Sequence, residues 1–291
     1  MSKRTLVVTH VMPQEIEMFQ RFIFNYKLCL KHLDADDDVT LKIALNLNPE
    51  LTDWENSKID KNEFIRVFSE SLDGIENLDT DIVVDTSLWG TTQQKREAIQ
   101  LDYDQFIFVD VDIVLHQHQL KHQLNASKQL NGMYVLSPAL PKWWDESWDV
   151  LVSNNQMDNE YGYAFKEECM NSVYTQKYEN LSLRGVAPIK FGCGMHTLYS
   201  KEFWDFIGIP ESFGGYGPED TFAMFAAHNA IINKQYPIKQ YVLDGLYITE
   251  DYTNRVPSFG DNLVSFNRKD EFYQKAESVA RQELIAFLNK I

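Results

Sequence analysis

An α/β protein with a mainly parallel central sheet flanked by helices is the fold class this sequence predicts. Three observations carry the prediction. Short β-branched runs alternate with helix-periodic segments through the first half of the chain, which is the pattern of successive βα units. The run Phe106-Ile107-Phe108-Val109-Asp110-Val111-Asp112-Ile113-Val114-Leu115 is apolar except for two carboxylates, so it reads as a buried strand that delivers acids to a site. At 291 residues the chain is long enough to bury a substantial core, in one large domain or two small ones.

The elements follow in order. Thr5 to Thr9 reads as the first strand, and Glu15 to Lys31 as a helix whose apolar faces come from Ile16, Phe19, Ile23, Phe24 and Tyr26 to Leu30. Val39 to Asn46 is the second strand, Lys61 to Leu72 a helix and Asp81 to Asp85 a third, short strand. Thr91 to Leu101 has helical composition and sets Lys95 and Arg96 shortly before the Asp110 strand. Ser137 to Gly185 reads as irregular, a long insertion or lid containing Trp143, Trp144 and Trp148. Helices are expected over Lys201 to Ile207 and from Pro218 onward, a strand over Gln240 to Leu243, and an amphipathic helix over Asp270 to Ile291. The chain is divided as a single domain, 1–291, in three parts: a first half, 1–136, an insertion with the segment that follows it, 137–260, and a C-terminal helix, 261–291.

Composition removes some functions. With 27 basic and 43 acidic residues the net charge is −16, which argues against nucleic acid as a partner but not against a nucleotide held through a metal. Cys29, Cys169 and Cys193 are far apart and suggest a reducing compartment without a disulfide framework. Met1-Ser2-Lys3-Arg4 runs straight into the first strand, and no apolar run approaches the ~20 residues of a membrane span. A soluble, cytoplasmic protein is expected.

In an extended chain residues i and i+2 share a side, so Asp110 and Asp112 are expected to project together. Similar triplets occur at Asp36/Asp38, Asp79/Asp81 and Asp102/Asp104. The apolar flanks set Asp110/Asp112 apart, because buried charges need a partner or a metal. Oxygen ligands of this kind suit Mg²⁺ or Mn²⁺ shared with nucleotide phosphates. Trp143 and Trp144 can stack on sugar rings, although packing the insertion against the sheet is the commoner duty of a tryptophan.

A second signal is Phe191-Gly192-Cys193-Gly194, continuing to Tyr199-Ser200-Lys201-Glu202-Phe203, followed by Gly214-Gly215-Tyr216-Gly217-Pro218-Glu219-Asp220. Gly192 and Gly194 would let the backbone approach a ligand. Glu219 and Asp220 suit the first turn of a helix whatever else they do. Standing after a glycine-rich loop and before an apolar helix, one of them is expected to face a cleft.

Together these motifs, in this order, resemble the A-type, metal-dependent nucleotide-sugar glycosyltransferases, over roughly Thr5 to Thr253. The resemblance implies a Rossmann-like GT-A fold with a small acceptor-side subdomain or insertion. It also implies transfer of a sugar from a nucleoside-diphosphate sugar donor to a glycan or other hydroxyl acceptor. Asp110 and Asp112 would hold Mn²⁺ or Mg²⁺, and Asp110 also the donor ribose. Thr9, His10, Val11, Arg96, Val111, Gly192 and Gly194 complete the implied donor side. Asp220 matches the general base of inverting members, with Glu219 orienting the acceptor beside Trp143, Trp144, Gly215 and Tyr216. One departure is the third metal ligand. His228 lies eight residues into the expected helix and is placed in core or solvent, and Glu250 and Asp251 stand where a third oxygen ligand could come from, or equally serve as solvated loop acids. A retaining enzyme would not require Asp220 as base, and the intact Glu219-Asp220 pair favours inversion.

Two other classes fit parts of the sequence. A sugar-nucleotide pyrophosphorylase or other nucleotidyltransferase also uses aspartate-held metal, but the first strand lacks a glycine-rich basic loop for a triphosphate. A non-catalytic carbohydrate-binding relative would need only the tryptophan-rich insertion.

Overall fold

In a computed structural model of the chain the described residues are 3–12, 15–47, 60–83, 90–140, 151, 167–177, 181–187, 189–190, 195–214, 218–251 and 278–291. The strands are β1 (Arg4–Val11), β2 (Asp38–Asn46), β3 (Leu78–Val83), β4 (Gln105–Phe108), β5 (Ile113–Val114), β6 (Tyr134–Ala139), β7 (Ser182–Val186), β8 (Thr197–Ser200), β9 (Lys239–Tyr247) and β10 (Thr249–Glu250). The helices are α1 (Ile16–Lys31), α2 (Lys61–Leu72), α3 (Thr91–Ala98), α4 (Gln119–Ser127), α5 (Glu167–Thr175), α6 (Lys201–Ile207) and α7 (Glu219–Lys234), with a further helix over 278–290.

Eight strands form one sheet in the order β3-β2-β1-β4-β8-β6-β9-β7. The pairs β3/β2, β2/β1, β1/β4 and β6/β9 are parallel, whereas β8 runs antiparallel to both β4 and β6, and β7 antiparallel to β9. The α/β, mostly parallel class expected from the sequence is the class observed. Alternation along β1 shows why its run is continuously apolar. Val7 and Val11 join a core with Phe19, Phe22 and Ile23 of α1, while Leu6 and Val8 face a second core with Phe203 and Trp204 of α6 and Ala223 and Ala227 of α7. A strand covered on both faces has no polar side to show.

The same rule explains a correction. Phe106 to Leu115 is not one strand: β4 ends at Phe108, paired with Val8 of β1 and Thr197 of β8, and the last rung is Val109 N donating to Val8 O at 3.0 Å. Val111 and Asp112 then turn, and β5 pairs antiparallel with β10 in a separate two-stranded sheet. Val109, Val111, Ile113 and Leu115 all remain buried, so hydrophobicity continues where the strand does not.

The third strand is Leu78–Val83, earlier than 81–85. Ser137 to Gly185 is less irregular than expected, since it contains the end of β6, all of α5 and most of β7. Pro138 hides the strand from a sequence reading. It lies in β6 where the pairing with β9 shifts register, a position that tolerates a missing N–H. The C-terminal helix packs Val279, Ala280, Leu284 and Phe287 against the second core, with Phe287 edge-on to Phe206 at 5.5 Å.

Candidate active site

The parallel strands β1, β2 and β4 end on one edge of the sheet. Because β2 and β3 lie on one side of β1 and β4 on the other, the edge between β1 and β4 is a topological switch point, where open α/β sheets leave a crevice for ligands. Thr9 and His10 reach this edge from β1, and Asp110 lies two residues beyond the end of β4. Thr9 Oγ1 and His10 Nε2 are buried and take no hydrogen bond from any described residue. Burial, with the Lys95 charge nearby, holds the His10 pKa down to about 4, so the ring is neutral. Val11, by contrast, is a core residue at 0% exposure.

Helix α7 brings its first turn to the same edge. Its N-terminal dipole favours carboxylates, and Glu219 and Asp220 occupy that turn. They face differently. Glu219 is turned inward, where Thr92 Oγ1 donates to Oε2 at 2.9 Å and Lys95 Nζ lies 2.5 Å from Oε1. Thr92 and Lys95 stand three residues apart on α3 and so share one helix face. Asp220 is half-buried. Its Oδ1 accepts from Thr221 N at 2.6 Å and from Thr221 Oγ1 at 3.3 Å, and no described residue donates to Oδ2.

The electrostatics join these groups. Burial works against the Lys95 charge, but Glu219, Asp110 and Asp220 more than reverse it, and the lysine pKa stands above its ordinary value. Burial and then Glu219 push Asp220 up to about 6, with Asp110 adding to the rise and Lys95 and the Thr221 N–H opposing it. Glu219, Asp110 and Asp220 thus all act on the buried Lys95 ammonium. A carboxylate poised near neutral pH is suited to taking a proton.

Nothing in the sequence alone marks Lys95 and Thr92 as site residues beyond their spacing on α3, and their partner is more than a hundred positions away. Arg96 is engaged elsewhere: Nε donates to Ile209 O at 3.2 Å, and Nη2 to Pro210 O at 2.9 Å and Gly214 O at 3.0 Å. It thereby ties α3 to the loop that leads into α7. His228 Nδ1 lies 2.8 Å from Ile189 O. Trp143, Trp144, Gly192, Gly194, Gly215 and Tyr216 lie outside the described residues.

Asp112, half-buried in the turn after Val111, meets the end of β10: Asp251 N donates to Asp112 O at 2.5 Å. The Asp251 carboxylate, 3% exposed, pairs with Arg21 Nε of α1 at 2.5 Å. Among the described residues no three histidine, cysteine or carboxylate side chains are gathered as a complete metal site. The donor set here, two aspartates at a strand-end turn, suits a hard cation that fills the rest of its shell with water and phosphate oxygens.

No protein-family model matches the sequence, and no curated protein is recognisably similar to it. Among solved structures the chain is similar to S. aureus TarS, at TM-score 0.49 and 12% identity over 85% of this chain and 36% of that one. It is also similar to S. aureus TarS 1–349, at TM-score 0.47 and 14% identity, and to the same fragment in complex with UDP, at 0.48 and 14%, each over 85% of this chain and 60% of that one. The chain thus spans less than two thirds of the TarS chains it resembles. A likeness this slight carries no function, and none is taken from it.

Proposed function

We propose that this chain is an inverting glycosyltransferase that moves a sugar from a nucleoside-diphosphate sugar to a hydroxyl acceptor. The observation that supports the reading is Asp220 in the first turn of α7, its carboxyl pushed up to about 6 in part by Asp110 and its Oδ2 facing no described donor. Thr9 and His10, with buried polar atoms unmatched among the described residues, suit the donor nucleoside. The acceptor hydroxyl would give its proton to Asp220 as its oxygen bonds to the anomeric carbon. The bond from that carbon to the phosphate oxygen breaks with its electron pair leaving on the nucleoside diphosphate, and attack from the opposite face inverts the centre. Asp110 and Asp112 would hold Mn²⁺ or Mg²⁺, which when bound neutralises charge on the departing diphosphate. Arg96 acts here through the loop before α7, and Glu219 through the placing of the base.

The test is a thermal-shift panel of nucleotide sugars and nucleoside diphosphates, each with Mn²⁺, Mg²⁺ or chelator. A ligand present at a hundredfold its Kd stabilises by about 2.7 kcal/mol, enough to read. We expect a metal-dependent shift for one nucleoside diphosphate family. Asp112→Ala should abolish it, and Asp220→Asn should keep it while transfer is lost. A panel without any shift sinks the reading; pyrophosphate released from a nucleoside triphosphate would replace it with nucleotidyl transfer.

A further inference from the structure

Four histidines meet where α1 and α4 come together. His32 follows the last residue of α1, His118 stands just before the first residue of α4, and His122 lies in the first turn of α4. The ring centre of His118 is 4.2 Å from that of His32, 5.4 Å from that of His116 and 6.1 Å from that of His122. Among the described residues no three such side chains are gathered as a metal site, so the contact is ring on ring. His116 is buried, and its Nδ1 accepts from His118 N at 3.3 Å, which it does only while that nitrogen carries no proton. Cys29 Sγ of α1 donates to His116 O at 3.5 Å, so His116 is fastened to both helices. Asp34, two residues beyond His32, is fastened to α4 as well: Lys121 Nζ lies 2.5 Å from its Oδ1, and Asn125 Nδ2 donates to its Oδ2 at 3.4 Å.

Geometry makes positive charge unwelcome here. His116, His118 and His122 stand at the N-terminal end of α4, where the helix dipole opposes a cation. An imidazolium at any of these positions lies close to a second ring that can also charge. Lys121 adds a fixed positive charge beside His118 and His122, and Lys31 another in the last turn of α1. Asp34 favours a charge on His122, but its oxygens are already engaged by Lys121 and Asn125. Lys128 of α4 is paired with Asp37 and Asp36, and burial pushes the Cys29 thiol up to about 12, so it stays uncharged. Burial and then the other three rings hold His116 down to about 4. Burial lowers His118 and His122 too, helped by His32 and Lys121 for the first and by His118 and Lys121 for the second.

We propose that the four histidines make the contact of α1 with α4 an acid-labile joint: closed while the rings are neutral, and opening as the pH falls through the range in which a solvated imidazole gains its proton. An imidazole that titrates lower in the closed joint than in the open one stabilises closure above about pH 6.5, and that contribution is lost as the pH falls toward the closed-state midpoint. Protonating His116 at Nδ1 also removes the bond from His118 N. The rest of α1 stays seated, because Phe19, Phe22, Ile23 and Tyr26 are buried in the first core. The joint stands apart from the transferase reading and needs no ligand.

The test is amide hydrogen exchange, read by NMR in the full chain at about pH 7.5 and about pH 5.5 and corrected for the intrinsic effect of pH on exchange. The last turn of α1 and the first turn of α4 are compared with α2, which carries no histidine. Between the two pH values, protection at the joint should fall about tenfold further than in α2, the contribution of one imidazole that charges on opening at about one unit below its open-state midpoint. With His116→Gln and His118→Gln combined, the fall should shrink to about twofold or less. Histidines that merely pack would change protection at both pH values alike. A joint that keeps its protection in acid, or that loses it equally in the double variant, overturns the proposal. If the double variant does not fold, His118→Gln alone decides through the histidine ring signals. Removing the central ring should raise the His116 and His122 midpoints by about half a unit, a threefold change in proton affinity. Midpoints that stay in place overturn the mutual repulsion on which the joint depends.

Discussion

Three histidines are buried, His10, His116 and His196, and burial decides how they titrate. His10 at the strand edge and His196 before β8 are both held to about 4, well under the ordinary value, by loss of solvent. An imidazole whose folded pKa is depressed gives stability that is present above its unfolded pKa and is lost as pH falls toward the folded one. The window is therefore about pH 6.5 down to pH 4. Asp220 works the other way: raised to about 6, it disfavours the folded state increasingly as pH climbs from about 4 to 6. His196, on no proposed catalytic path, isolates the first effect. Its φ of 51° lies in the left-handed region, which asparagine tolerates best after glycine. His196→Asn should cost stability at pH 7, because it empties packed space. Its loss of stability between pH 7 and pH 5 should nonetheless be smaller than wild type's by about 2 kcal/mol. Urea unfolding at the two pH values measures this, and an unchanged difference would mean that His196 is solvated in solution.

At the scale of elements, one serine joins three. Ser200 ends β8 and caps α6: its Oγ accepts from Phe203 N at 3.2 Å and from Tyr134 N of β6 at 3.1 Å. Ser200→Ala removes a helix cap, about 1 kcal/mol, and leaves the Tyr134 N–H buried without its acceptor, about another 1 kcal/mol. A fall of about 2 kcal/mol in unfolding free energy, with the denaturant slope unchanged, is expected; a loss under about 0.5 kcal/mol would show that β6 and α6 do not depend on this tie. Ser200 also illustrates what could be read in advance. The Tyr199-Ser200-Lys201 junction of strand and helix is written locally, in a cap and a change of period. So were β1, β2, α1 and α2. The break between β4 and β5 was not legible, because the residues on both sides of the turn are buried and burial is all that an apolar run reports. Of the site, Asp110, Glu219 and Asp220 could be picked out as carboxylates beside apolar or glycine-rich sequence. Lys95 could not, since nothing local distinguishes a lysine facing Glu219 from one facing water.

For the molecule as a whole the dominant number is the net charge of −16. Packed into a globule of roughly 20 Å radius of gyration, that charge repels itself more than it does in the expanded unfolded chain. Coulomb's law puts the difference at a few kcal/mol in dilute salt. Salt acts in both directions. It screens this repulsion as the Debye length shrinks from about 30 Å at 0.01 M to about 8 Å at 0.15 M, and it also weakens exposed ion pairs such as Arg66 with Glu63 and Glu70 on α2. Exposed pairs of this kind contribute little, because water screens them and holding two long side chains costs entropy. The buried Lys95–Glu219 pair is shielded from mobile ions and should hardly respond. The repulsion term therefore wins, and raising NaCl from about 0.01 M to about 0.15 M should raise the melting temperature by about 5 °C, at 2–4 °C per kcal/mol for a domain of this order of size. Sodium chloride is the salt to use, since sulfate strengthens apolar burial on its own account. Charge reduction gives an independent arm: Glu76→Gln, at an exposed position, should raise the melting temperature at 0.01 M salt more than at 0.15 M. A midpoint that falls with salt, or a charge-reducing variant that melts lower at 0.01 M, would mean that surface pairs rather than the summed negative field set the stability of this fold.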